Sequence, residues 1–360
     1  MSGLSGKIFS TPGVILMFPR TFIILLFVSP LAVAASWDGY NSPSRFAADY
    51  EYRLDHLPLS GSVDAVDIPW SESYWPRNQG SLNLRWNAPT PIGFGYRSPP
   101  FEKIKQMTRT ELSHLSPAEK FDLARGRYDY PFTTYIRRYM AKRNAKDFEG
   151  ICDGWTASAI QFKEPLPIDH VNPEGITIPF GSSDIKALIS YLAAYHTDLG
   201  PIFAGRYCTT FGFGSRCADI NPGALHVILA NEIGLRKTPF AADVEIGRET
   251  WNQPVFAYEF EIVGSAGSSS SIGYLIQGKM HYTDELEISR WEPVTGTEHF
   301  MRAAQDLKYV VELDSNHRIT GGYWVEGSNH PDLFWKSTKP IVFEGDFIIL
   351  KDLYRPVGSQ

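Results

Sequence analysis

The apolar periodicity of this chain changes once, near residue 225, and that change limits the folds open to it. Upstream the spacing is helical. In SSDIKALISYLAAYH (182–196), Ile185, Leu188, Ile189 and Leu192 fall at i, i+3, i+4 and i+7, the pattern of one buried helix face. Thr108-Arg109-Thr110-Glu111 and Ser116-Pro117-Ala118-Glu119 both have capping-box spacing, and Pro117 sits where a first helical residue belongs. A further helix is predicted over Thr134 to Lys142, with Tyr135, Ile136 and Tyr139 as its apolar contacts. Downstream the pattern is that of strands. VFAYEFEIV (255–263) alternates, with Phe256, Tyr258, Phe260 and Ile262 on one side, and YLIQGKMHY, LKYVVELD and RITGGYWVE continue the theme. Helices followed by strands in this way describe an α+β chain.

Four segments follow from this reading: a leader over residues 1–34, an irregular or β-rich wrap over 35–100, a core over 101–265, and a β-rich portion over 266–360. The wrap is rich in Pro, Trp, Tyr and Asn, and the Gly/Ser stretch 264–271 reads as a hairpin loop or linker. The leader has Arg20, the apolar run Phe22 to Val28, and then Ala32-Val33-Ala34, the three parts of a secretory signal peptide. Cleavage after Ala34 makes Ala35 the first mature residue, with Met17 as an alternative start. The run is too short to span a bilayer comfortably, and no later segment reaches the required length. The expected location is therefore secreted or periplasmic, with no membrane attachment after cleavage.

At 14 % aromatic and 21 % charged residues the composition suits a large core, and the net charge of −6 includes no basic block. Nucleic acid is accordingly not an expected partner. Three cysteines are present. Cys208 and Cys217 enclose TTFGFGSR, and in an oxidising compartment they are expected to form a disulfide contributing about 2–3 kcal/mol. Cys152 is left over.

A nucleophilic cysteine needs a depressed pKa, an imidazole and a group that orients the imidazole. Cys152 precedes the helix-compatible TASAIQF, so its sulfur is placed at a helix N-terminus, where unpaired N–H groups favour a thiolate and an oxyanion. Asp153 and Gly154 flank it, and Trp155 is in position to exclude water. The alternative is a buried, inert thiol. His226 opens the apolar run HVILA, read as a strand, and a turn between Gly234 and Leu235 would set Asp243 opposite it. H-E-x-x-H, paired C-x-x-C, G-x-S-x-G and P-loop patterns are all absent, and no acidic loop has EF-hand spacing, so the residues name no metal.

The segments CDGW (152–155), NPGALHVILANEIG (221–234) and FAADVEIGRETWNQPVFAYEF (240–260) resemble the secreted transglutaminase-elicitor family of oomycete plant pathogens and marine bacteria. LSPAEKFDLARG (115–126), FGSSDIKALISY (180–191), ELDSNHRITGGYW (312–324) and HPDLFW (330–335) carry the likeness across residues 100 to 350. The most specific stretch, Thr250 to Val255 with Trp251, looks like the peptide by which plants recognise those proteins. Two departures stand out: Asp153 where the family pattern often has His, and Phe-Ala-Tyr after Val255 where it is more basic.

The resemblance implies a papain-like core, a helix bearing the cysteine packed on an antiparallel sheet bearing the histidine and aspartate. It also implies calcium-dependent transfer of a protein glutamine γ-acyl group to a lysine or other amine, although the chemistry itself needs no cofactor. Carried over, Cys152 is the nucleophile and His226 the base, with Asp243 or Asn252 as third member. A papain-like protease, amidase or deamidase is the alternative chemistry. A non-catalytic secreted binding module is the alternative class.

Overall fold

The computed structural model describes residues 37–206, 219–247, 249–266 and 272–358. Six helices fall before residue 200: α1 (Phe101–Ile104), α2 (Arg109–Ser113), α3 (Pro117–Ala124), α4 (Pro131–Tyr135), α5 (Cys152–Gln161) and α6 (Ser182–Tyr195). Helices α7 (Pro222–Leu229) and α8 (Leu350–Leu353) follow later in the chain. The strands are β1 (Ser60–Ser62), β2 (Ile168–Val171), β3 (Thr177–Phe180), β4 (Ile202–Gly205), β5 (Phe240–Asp243), β6 (Asn252–Ser265), β7 (Ile272–Thr283), β8 (Arg302–Leu313), β9 (Ile319–Trp324) and β10 (Leu333–Lys336). Eight of them form one sheet in the order β4-β10-β5-β6-β7-β8-β9, with β1 also beside β6. Its pairings are antiparallel. This sheet runs straight through residue 265, and β2 and β3 make a separate hairpin.

Local signals explain most of these elements. Thr108 and Ser116 both close capping boxes, with Glu111 and Glu119. The helix expected from Thr134 starts three residues earlier because Pro131 occupies its first turn, and it runs on through a π-turn to Met140. Of its three expected apolar contacts Ile136 is buried, whereas Tyr135 and Tyr139 are half exposed and lie against each other with ring centroids 4.9 Å apart. Residues 37–100 are mainly irregular, with short 3₁₀ turns, but they bury Trp70 and Trp75 completely.

One expectation is corrected. HVILA is no strand: His226 lies inside α7, which continues through a π-turn, Ala230–Leu235. Asn221 caps the helix by accepting the Gly223 N–H at 2.9 Å, and Pro222 occupies its first turn. Every residue of α7 is buried, so its apolar run lacks the polar stripe that marks a surface helix and reads like a buried strand.

Alternate residues of the central strands serve two cores. Ala241, Leu333 and Trp335 join the cluster containing Phe121 of α3, Ala157 of α5 and Leu188 of α6. Phe240, Ala242 and Phe334 join the one containing α7, Val255, Ile276 and Tyr309. With side chains alternating across a strand, α5 and α6 lie on one face of the sheet and α7 on the other.

Candidate active site

Cys152 is the first residue of α5, buried to 8 % exposure in a small cluster with Trp70, Trp155 and Ala159. Two backbone features set its height. Ile151 donates its N–H to the Tyr74 carbonyl at 2.8 Å, and a side chain at Gly150 would collide with that same carbonyl. Farther along, a Cβ on Gly154 would stand 2.1 Å from the Ser190 carbonyl oxygen, so α5 crosses α6 at a distance only glycine allows. Gly154 is thus a packing residue and not a wall of the site. Trp155 is fully buried and donates its indole N–H to the Trp70 carbonyl at 3.1 Å.

The sulfur has two hydrogen-bond contacts. Its S–H faces the Thr250 carbonyl at 3.7 Å, and Asn252 Nδ2 donates to it at 3.7 Å. Asn252, the first residue of β6, is fixed on all sides. Its Oδ1 accepts the Trp335 indole N–H at 2.7 Å, and its backbone carbonyl accepts the Thr156 hydroxyl at 2.8 Å. Asp243 lies directly opposite Asn252 in the β5–β6 register. One of its oxygens accepts the Trp251 N–H at 2.9 Å, the other has no partner, and burial with Asp332 nearby pushes its pKa up to about 7. Trp251 packs edge-on against Tyr74, 5.6 Å between centroids.

Cys152, Thr250 and Asn252 form part of the wall of a cavity of about 320 Å³, together with Arg77, Glu149 and Asp153. Arg77 is paired with Glu149 at 3.2 Å, and Asp153 is exposed. Burial, then the carboxylates of Asp153 and Glu285, push the Cys152 thiol up to about 12, against the N–H groups of Asn252, which favour the thiolate. Glu285 accepts Gln253 Nε2 at 3.0 Å, and burial beside Asp284 raises it to about 7. A larger cleft, about 810 Å³, is lined by residues at and just past the C-terminal end of α5, such as Gln161, Phe162 and Lys163, and does not include Cys152.

His226 is not brought to the sulfur. It lies on α7, across the sheet from α5, where Nδ1 meets the Tyr309 hydroxyl at 2.9 Å and the ring stacks on Phe260. Burial lowers its pKa to about 4, and its Nε2 has no partner. The pairing with Asp243 rested on the strand that is a helix here; Asp243 faces Asn252 and Leu333 instead. All nine histidines of the chain fall within the described residues, and none hydrogen-bonds to Cys152. Cys152 is free, while Cys208 and Cys217, with the disulfide expected between them, lie outside the described residues, as does the leader.

Sequence reasoning missed Tyr74, Arg77, Thr250, Glu285 and Trp335. All five come from segments roughly 75 to 180 residues distant, and no spacing rule connects them to Cys152. Among the described residues no three His, Cys, Asp or Glu side chains are grouped to hold a metal ion. A calcium requirement rests on the resemblance alone. No described helix is long and apolar enough to cross a membrane.

Residues 143–289, which carry Cys152, Asp243, Asn252 and Glu285, match the family model described as transglutaminase elicitor. That segment is similar to the transglutaminase-elicitor family. Among solved structures, that of the GP42 transglutaminase from Phytophthora sojae matches with a TM-score of 0.65 at 21 % identity, covering 88 % of this chain and 98 % of that one. At that identity the likeness concerns the fold, a mixed α+β architecture with an antiparallel sheet and helices. None of the curated proteins matches the chain. Within the transglutaminase-elicitor frame, the helix bearing a cysteine and the sheet behind it are present, and the imidazole beside the sulfur is not.

Proposed function

We propose that this chain is an exported acyltransferase that moves the γ-acyl group of a protein glutamine to a primary amine through a thioester on Cys152. The observation that supports this best is the sulfur at the first residue of α5, on the wall of an open cavity, with the Asn252 side-chain N–H directed onto it. The sulfur attacks the carboxamide carbon, and the N–H groups at the start of α5 and on Asn252 stabilise the oxyanion. Ammonia leaves, and the amine then displaces the sulfur. We assign proton exchange to Glu285, one of two carboxyl groups whose charge bears on the sulfur, because burial beside Asp284 brings it to about 7, where it takes and returns a proton near neutrality. Export rests on the leader sequence, and a calcium requirement on the family likeness alone; neither enters the mechanism.

The test is incorporation of a dansylated primary amine into casein by the purified chain and by Cys152→Ala. Fluorescent casein from the first and none from the second is the expected result. New peptide ends in place of fluorescence would point to proteolysis. One observation favours a second reading: the thiol is held neutral with no imidazole on it. On that reading the chain is a binding module, and neither casein labelling nor cleavage occurs.

A further inference from the structure

The charge pattern around the sulfur bears on the choice of second substrate, a choice that exists only on the acyl-transfer reading. Three charged side chains line the cavity beside Cys152: Arg77, Glu149 and Asp153. The first two neutralise each other, Arg77 Nη1 standing 3.2 Å from Glu149 Oε2. Asp153 is exposed in that wall, and among the described residues it forms no ion pair, so no cation offsets it. Its charge reaches the sulfur and Tyr195, raising both. A single uncompensated carboxylate in a concave cavity focuses its field on whatever enters. That field opposes a thiolate, so it works against the first half of the reaction. It favours a cation arriving in the second half.

We propose that Asp153 is the specificity-determining residue for the acyl acceptor, selecting a protonated amine over water and neutral nucleophiles. The acceptor enters as an ammonium ion held by the Asp153 carboxylate and gives up one proton to become nucleophilic. Its nitrogen bonds to the thioester carbon, the C–S bond breaks, and the nitrogen releases a second proton as the amide forms. One of the two protons returns to the Cys152 sulfur and the other passes to solvent. The alternative role for Asp153 is local: an acidic side chain in the first turn of α5 steadies the helix dipole.

The experiment compares two acceptors, a dansylated cadaverine, cationic at pH 7.5, and hydroxylamine, neutral at that pH, with a glutamine dipeptide as donor. Asp153→Asn should lower the ratio of kcat/KM for the cationic over the neutral acceptor roughly tenfold, chiefly through KM. Asp153→Glu should restore most of that ratio, and 0.5 M salt should shrink it in the parent chain. A purely helix-stabilising role predicts equal losses with both acceptors and an unchanged ratio, which overturns the proposal. Absence of turnover with either acceptor in the parent chain would instead overturn the acyl-transfer reading beneath it.

Discussion

At Cys152 the surroundings pull two ways: Asn252 donors favour the thiolate, while burial and two carboxylates oppose it and prevail. Glu285 adds to that opposition and is also the assigned proton acceptor, so Glu285→Gln should split two readouts. Alkylation by iodoacetamide at fixed pH should speed up roughly three- to tenfold, whereas glutamine turnover should fall. Parallel changes in both rates would remove the assignment. His226 makes the opposite kind of prediction. Its native value, about 4, lies below the roughly 6.5 of an unfolded histidine, so the unfolded chain binds a proton that the native one refuses. Its contribution to stability is present above pH 6.5 and is lost as pH falls towards 4, about 3 kcal/mol across the window. His226→Gln, which keeps a partner for Tyr309 and cannot titrate, should flatten that part of the pH–stability curve measured by urea unfolding.

At the scale of elements, the crossing of α5 and α6 governs where the sulfur stands. Gly154→Ala forces a methyl group into the Ser190 carbonyl and the Ala194 side chain. The expected cost is about 3 kcal/mol, seen in chemical denaturation, together with altered Cys152 labelling. Helices with polar boundaries were legible in the sequence: α3 and α6 follow from a capping box and from i, i+3, i+4, i+7 spacing. The long strands β6, β7 and β8 follow from their alternation. Helix α7 was not legible, because total burial removes its polar face and leaves NPGALHVILA looking like a turn and a strand. That one error carried His226 to the wrong face of the sheet. Asn252 was legible only as a rival third member; its place on the sulfur depends on the β5–β6 register, which pairs Asp243 with Asn252 across a turn the sequence leaves open.

At the scale of the whole molecule, distant segments are tied together by buried charge. Lys186 of α6 is completely buried, 2.5 Å from Glu164 and 3.6 Å from Glu72, and it donates to the Ser71 carbonyl at 3.0 Å. Glu72 also accepts the hydroxyls of Ser183 and Ser289, and Glu164 accepts the N–H groups of Val294 and Thr295. Removing the cation strands two buried carboxylates, so Lys186→Met should cost about 3–5 kcal/mol, measured as a lowered denaturant midpoint. The network also holds Trp70, a member of the Cys152 cluster, and the adjacent Ser71 against α6. The central claim is that Cys152 becomes acylated, and trapping tests it most directly: the chain is mixed with carbobenzoxy-glutaminyl-glycine, quenched in acid and digested for mass spectrometry. The account predicts that the peptide containing Cys152 gains the mass of the dipeptide less ammonia and loses it on adding hydroxylamine; an unmodified Cys152 peptide under conditions of measured ammonia release would contradict it.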